Sequence, residues 1–592
     1  MKNKLKTIAL ATCLISALSL IADIPKPISV LATTESLQNG YFSGNKAEGN
    51  WFQALPAEES VQYNIDTVGD VPWSITAGAP NMPKLEKGTL LFVAFKARAV
   101  RTYDESGEGE IGVIFERTGT PYNKSLRTTV TVGEEWLQIY ESFLVDDNYA
   151  KEGSAFVFHL GAKRQIIEIK DFSLVELPAD TDQATLPSTS REYEGIALDA
   201  PWRAEAEKRI KENRMADIDI SIKDAEGKPI PGAKIKVEMT KHAFPFGTCV
   251  ASGLYANPNS TRCSKEKRDK YREIVNTKFN SVSPENAFKW MDWIILEDYL
   301  QWGIKATKEW NERGISVRGH VLVWPSWKKS PALLKEYKNR PEELKAMIGE
   351  HVTRYAKMFN GKVRCWDVIN EPMDNHDFMN VLGNDIMIEW FQLAQAEDPN
   401  ATLLLNDYGL LSGGSHMTHF QKTVQNLIDG GAPIEGIGTQ CHFGSSVTPP
   451  KKLLERLDKL SKFGLPIEVT EFDIDSDDEG LQSDYMRDFL TATFSHPSIA
   501  GIQMWGFWTK AHWKPQAALW DDDFNIRPHG QMYLDLVYGT WWTNETGVTN
   551  KEGNFDCRGF LGNYNVTVET AGKKITKEFK LSKDKDTWTV SL

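Results

Sequence analysis

Two strand-like apolar runs end in glutamate: VRCWDVINEP reaches Glu371 and PIEVTEF reaches Glu471. A carboxylate at the tip of a buried strand is costly to desolvate while ionised, so it is either paired or pushed toward its neutral form. Two such groups on either side of one bond could cleave a glycoside, one protonating the leaving oxygen while the other attacks or activates water. Other strand ends supply hydrogen-bonding groups, namely Glu285, Asn286, Lys289, His320, Asn370, Asn406, Asp407, Gln440 and His442. Trp290, Trp324, Trp327, Trp505, Trp513 and Trp520 add rings whose apolar faces suit a sugar face, whereas Trp366 and Trp508 read as core packing. A single strand-end Glu is more often a structural hydrogen-bonder; the gathering of donors and rings favours chemistry. His320 and His442 with Glu471 could nominally hold a metal, but no HxH or HExxH spacing accompanies them, and no GxSxG elbow marks a serine nucleophile. No metal site and no required cofactor are expected.

The elements that must position these groups alternate apolar strands with amphipathic helices from about residue 244. Eight strands are read: FPFGTCVA, FNSVSPEN, ISVRGHVLVW, VRCWDVINE, ATLLLNDY, IEGIGTQCHF, PIEVTEF and GIQMWGFW. Eight such units within residues 244–542 favour a TIM barrel over a doubly wound sheet, because only a closed barrel brings eight strand ends around one mouth. Before it, residues 36–178 show short alternating strands with Gly, Pro and Asn turns, the pattern of a β-sandwich. Residues 179–193 are polar and read as a linker, and 194–243 as a lead-in helix followed by a strand pair around a Gly/Pro turn. Residues 543–592 form a small β appendage that is expected to need a neighbour, with the strands of 216–239 as one candidate.

Taken in order, FNSVSPENAFKW, VRGHVLVW, WDVINEP, LLLNDY, GIGTQCHF, IEVTEFDI and MWGFWTKAHW resemble the successive motifs of glycoside hydrolase family 10, the endo-β-1,4-xylanases. The resemblance implies a TIM barrel that hydrolyses xylan by a retaining double displacement, with Glu371 as acid/base and Glu471 as nucleophile. It also implies that Asn370 holds the 2-hydroxyl of the sugar under attack, and that His442 and Asp473 keep Glu471 ionised and oriented. Glu285, Asn286, Lys289, His320, Trp324 and Gln440 match glycone-side positions. Trp505 and Trp513 match rings over the reactive sugar, and Tyr408 matches the leaving-group side. Glu371 would start protonated, its proton affinity raised by an apolar site shared with a second carboxylate. One motif departs: where the family usually reads WHSQ, this chain has Trp324-Pro325-Ser326-Trp327. The N-terminal sandwich, with NGYFSGN, Trp51 and IIEIKDFSL, resembles the jelly-roll carbohydrate-binding modules attached to such enzymes; its ligand, and whether it holds a structural calcium, stay open.

Residues 1–32 combine a basic start, an apolar run and a small-residue site ending at Ala32, as a secretory signal peptide does, so a secreted protein is expected. The net charge of −13 disfavours nucleic acid as a partner and fits a neutral polysaccharide. No later stretch approaches a membrane span. Of six Cys, Cys13 falls in the leader, leaving an odd number that makes a poor disulfide framework; pairing of Cys249 with Cys263 is left to geometry. A monomer acting on xylan and xylo-oligosaccharides is expected. Two other readings remain: a related retaining β-glycanase on glucose-based or mixed chains, and a non-catalytic polysaccharide-binding protein.

Overall fold

The eight apolar runs become eight parallel strands: β1 (Phe246–Val250), β2 (Ser281–Pro284), β3 (Ser316–Gly319), β4 (Cys365–Asn370), β5 (Thr402–Asp407), β6 (Gly436–Thr439), β7 (Ile467–Ile474) and β8 (Ile499–Met504). Each pairs with the next, and β8 pairs back onto β1, so the sheet closes as expected. This computed structural model describes residues 24–43, 49–290, 293–570, 572–583 and 586–592. It divides into two units, Met1–Glu192 with Ser412–Ser415 and Phe443–Val447, and the rest of the chain.

Helices cover the barrel because their apolar residues recur at helical spacing. Pro341–Phe359 buries Leu344, Ile348, Val352, Tyr355 and Phe359, starts with Pro341 at its first turn and carries Glu342 and Glu343 against the positive end of its dipole. Each fully buried aliphatic side chain of this kind contributes roughly 1.5–3 kcal/mol. Strands β4 and β7 are buried along their whole length, which fixes where their polar tips emerge. Trp366 and Trp508 lie in the core, as expected.

The lead-in helix, Pro201–Arg214, is tied to the helix Glu479–Ser495: Arg203 donates to both oxygens of Asp488 at 2.6 and 2.7 Å, and Arg214 Nε donates to the Phe494 carbonyl at 2.8 Å. The expected strand pair does not form. Met215–Lys223 lies between Asn554–Phe560 and Asp586–Ser591, whereas Lys234–His242 lies between Asn544–Val548 and Gly562–Thr570. Each strand has one apolar face, Ile218, Ile220 and Ile222 on the first, Ile235, Val237 and Met239 on the second, and the C-terminal strands supply the partners that bury both. The appendage and the lead-in strands thus form one body.

The N-terminal unit is two antiparallel sheets, as expected of a sandwich. One runs 51–55, 60–65, 165–176, 90–102, 137–144 with Ser29–Thr33 also on 165–176; the other runs 41–43, 76–79, 154–159, 109–117, 124–132. Their core gathers Tyr63, Phe95, Phe156, Phe158 and Phe172. The segment read as a linker is not bare: Leu186 packs with Leu90, Phe92 and Val175, and Thr189 bonds the Tyr140 backbone. The leader falls largely outside the described residues, and so does the end of the NGYFSGN run; the cleavage point expected after Ala32 lies inside the paired strand Ser29–Thr33, where Ala32 is 3 % exposed. Cys249 and Cys263 are both free thiols. Among the described residues, no helix is long and apolar enough to cross a membrane.

Candidate active site

At the C-terminal end of β4 the backbone turns sharply, and Glu371 takes a left-handed conformation, φ 54°. A non-glycine residue pays on the order of 1–3 kcal/mol for that geometry, and such strain collects at functional positions. Glu371 is 4 % exposed, and N–H groups of several described residues face its carboxyl. Asn370 Nδ2 and Gln440 Nε2 donate to Oε1 at 3.0 and 2.8 Å; Trp324 Nε1 and Asn375 Nδ2 donate to Oε2, each at 3.0 Å. The expected apolar surround is therefore a polar one of uncharged donors. Gln440, read as a glycone-side residue, gives its amide to Glu371 and to Asn370 Oδ1.

Glu471, within β7, is also 4 % exposed, but its partners carry charge. His442 Nε2 lies 3.3 Å from Oε2, while His442 Nδ1 faces Asp473 Oδ1 at 2.9 Å. Burial alone would raise the Glu471 carboxyl; the His442 hydrogen bond, with the charges of His320, His442 and Arg318, outweighs it and holds the group down at about 2. Burial likewise opposes a charge on His442, yet Asp473 and Glu471 raise it well above the usual imidazole value. His320 goes the other way: burial holds it below that value against the pull of Asp367 and Glu471.

Asn406, at the end of β5, joins the two carboxylates. Its Nδ2 donates to Asn370 Oδ1 at 2.8 Å and to Glu471 Oε1 at 3.0 Å, and Thr470 Oγ1 fixes its Oδ1 at 2.8 Å. In the sequence Asn406 is a strand-end polar residue with no assigned role, and Asn375 carries no signal; the buried pair Arg318 and Asp367 was legible as two opposite charges inside apolar runs on adjacent strands. Arg318 donates to Asp367 Oδ2, which also meets His320 Nδ1 at 2.7 Å. His320, Asp367 and Glu471 come close enough to suggest a metal cluster. The cation there is already supplied, because the Asp367 oxygen accepts from both Arg318 and His320, and this fits an ion-pair network better than a metal.

Lys289 donates to Asn286 Oδ1 at 2.9 Å and lies 5.6 and 5.9 Å from the ring centres of Trp324 and Trp505. Glu285 follows β2, half-buried. Trp505 meets His320 edge-on at 5.1 Å, and Trp513 donates to Asp473 Oδ2 at 2.7 Å with its ring 4.8 Å from His442. Tyr408 donates its hydroxyl to Asp374 and packs 4.1 Å from the His416 ring; His416 also faces Asp407 and is raised to about 10, burial being outweighed by Asp374 and Asp407. Trp290 stacks on His351 at 4.0 Å, and Trp327 packs on Phe378.

The closed eight-stranded barrel carries two buried glutamates, Glu371 just after β4 and Glu471 within β7, coupled through asparagines, an arrangement suited to chemistry by a carboxylate pair. The family model for glycosyl hydrolase family 10 matches residues 236–535, half of the chain, and the chain belongs to that family. Among curated relatives it is 31 % identical over 406 residues to an anti-sigma-I factor of Acetivibrio thermocellus, covering 67 % of this chain and 49 % of that protein. It is 27 % identical over 388 residues to endo-1,4-beta-xylanase 1 of Arabidopsis thaliana, covering 64 % and 39 %. The chain thus spans about half or less of the length of these relatives. It is also similar to the crystal structure of xylanase 10B from Thermotoga petrophila RKU-1 in complex with xylobiose, with 23 % identity, TM-score 0.45, and 50 % and 94 % of the two chains covered.

Proposed function

We propose that the protein is an endo-1,4-β-xylanase that hydrolyses xylan with retention of anomeric configuration. The observation that carries this reading is the unequal treatment of two coupled carboxylates. Glu471, held ionised, attacks the anomeric carbon as Glu371 gives its proton to the glycosidic oxygen, and the C–O bond breaks to leave a glycosyl ester on Glu471. Glu371, now ionised, takes a proton from water, whose oxygen attacks the same carbon and frees Glu471. The names of the plant relatives support xylan as the substrate. No metal or cofactor takes part in these steps.

The proposal extends to a secreted monomer whose N-terminal sandwich binds polysaccharide. Its support is the signal-like start of the chain and the exposed rings of Trp51 and Trp73, 39 % and 55 % accessible. The alternatives are a related retaining β-glycanase on glucose-based or mixed chains and a polysaccharide-binding protein without turnover. Product profiling on arabinoxylan, glucuronoxylan, cellulose and mixed-linkage glucan separates these. Short β-1,4-xylo-oligosaccharides from the xylans alone are expected; release from glucans at equal rates, or no release from any substrate, contradicts the proposal.

A further inference from the structure

The described donors around Glu371 are not equivalent. Trp324 presents an N–H and nothing that can accept. Asn370 is locked, its Oδ1 accepting from Asn406 and Gln440 while its Nδ2 serves Glu371. Gln440 gives its Nε2 to both Glu371 and Asn370 Oδ1, so turning its amide would break the second bond. Asn375 differs. Its backbone N–H closes the turn onto the Glu371 carbonyl at 2.9 Å, its Nδ2 donates to Glu371 Oε2, and among the described residues its amide oxygen has no recorded partner. The side chain is half-buried, at the edge of the mouth.

An acid/base residue changes its needs during turnover. Ionised, it accepts only; protonated, one oxygen becomes a donor and wants an acceptor. Trp324 cannot answer that change on Oε2, and the locked amides cannot answer it on Oε1. We propose that Asn375 is a positioning residue for Glu371, donating through Nδ2 to the ionised carboxylate and, after a half turn of its amide, accepting through Oδ1 from the protonated one. This rests on the reading of Glu371 as acid/base. The titratable groups around Glu371 are Glu471 on β7, reached through Asn370 and Asn406, Tyr408 after β5, and His320 after β3. Asp374 lies in its own turn, with His416 and Asp407 behind it. Tyr408 gives its hydroxyl to Asp374 and His320 its Nδ1 to Asp367, whereas Asn375 lies against Oε2.

The test is the pH dependence of xylan hydrolysis by Asn375→Ala and the near-isosteric Asn375→Asp in the full chain. Asn375→Ala is expected to lower kcat about 3- to 10-fold with little change in KM, the size of one lost hydrogen bond. Asn375→Asp places a second negative charge beside Oε2, and the basic limb of the kcat/KM profile should move up by about one pH unit. Profiles that superimpose on the parent, with kcat within twofold in both variants, overturn the inference. A parent protein inactive on every xylan would sink the functional reading instead. The contact is then read from carbon-13 NMR of the Glu371 carboxyl, which Asn375→Asp raises if the contact exists and leaves unmoved if it does not.

Discussion

The two sides of the barrel mouth hold the same residue at the same depth and treat it differently. Among the described donors to Glu371 are an indole and three amides, on the ends of strands or in the turns that follow them. Around Glu471 stand the amide of Asn406, the charged His442 and Arg318, and His320, which burial holds below its usual imidazole value, backed by Asp473 and Asp367. Neutral N–H donors hold a carboxyl in place and favour its ionised form without setting a counter-charge beside it. Charged partners hold it ionised, because protonation would leave a buried cation unpaired. Burial sets the stakes on both sides, and in the proposed mechanism the kind of partner separates the nucleophile from the acid/base.

The sharpest way to break this contrast is to neutralise each glutamate. Glu471→Gln should lose on the order of 10⁴-fold or more in kcat on every substrate, since no other group can form the ester. Glu371→Gln should lose about 10²- to 10⁴-fold on xylan but far less on an aryl β-xyloside whose leaving group needs no proton. Equal losses of the two variants on the aryl substrate would erase the distinction. Next in size, Arg318→Met strands the buried Asp367 carboxylate and should destabilise the fold by about 3–5 kcal/mol, read from denaturant unfolding.

A smaller effect concerns the charge on the Glu471 side. His442→Asn removes the hydrogen bond that holds Glu471 at about 2, so its proton affinity rises and the acid limb of kcat/KM should move up by at least about one pH unit. The sign for stability follows from the same shift. A carboxyl depressed below its ordinary value of 4.5 contributes stability that is complete above that value and is lost as pH falls toward 2. Melting temperatures taken between pH 5 and pH 2 should fall more steeply for the parent than for His442→Asn.

Much of this was legible in the sequence, for a physical reason. Apolar runs that stop on Asn-Glu or Thr-Glu mark strands whose tips reach a barrel mouth, so Glu371 and Glu471 could be placed by type and position and His442 as a strand-end donor, while the tie of His442 and Asp473 to Glu471 came only with the family resemblance. The partners of Glu371 could not. Gln440 reads as a donor at a strand end, but which oxygen it meets depends on how β6 stands relative to β4, and Asn375 lies in a turn with no periodic signal. The lead-in strands failed for a similar reason. Met215–Lys223 and Lys234–His242 look like a hairpin because they are neighbours in the chain, while the faces that bury them come from residues 544–591. Local pattern gives a strand its apolar face, and only tertiary pairing chooses what covers it.

The central claim, that Glu471 attacks while Glu371 moves the proton, is tested most directly by trapping. A 2-deoxy-2-fluoro xyloside with an activated leaving group slows breakdown of the glycosyl ester, and peptide mass mapping locates it. The account predicts the fluorosugar on the peptide containing Glu471, with none on Glu371. Label on Glu371, or inverted xylose products with no trapped ester, would contradict it.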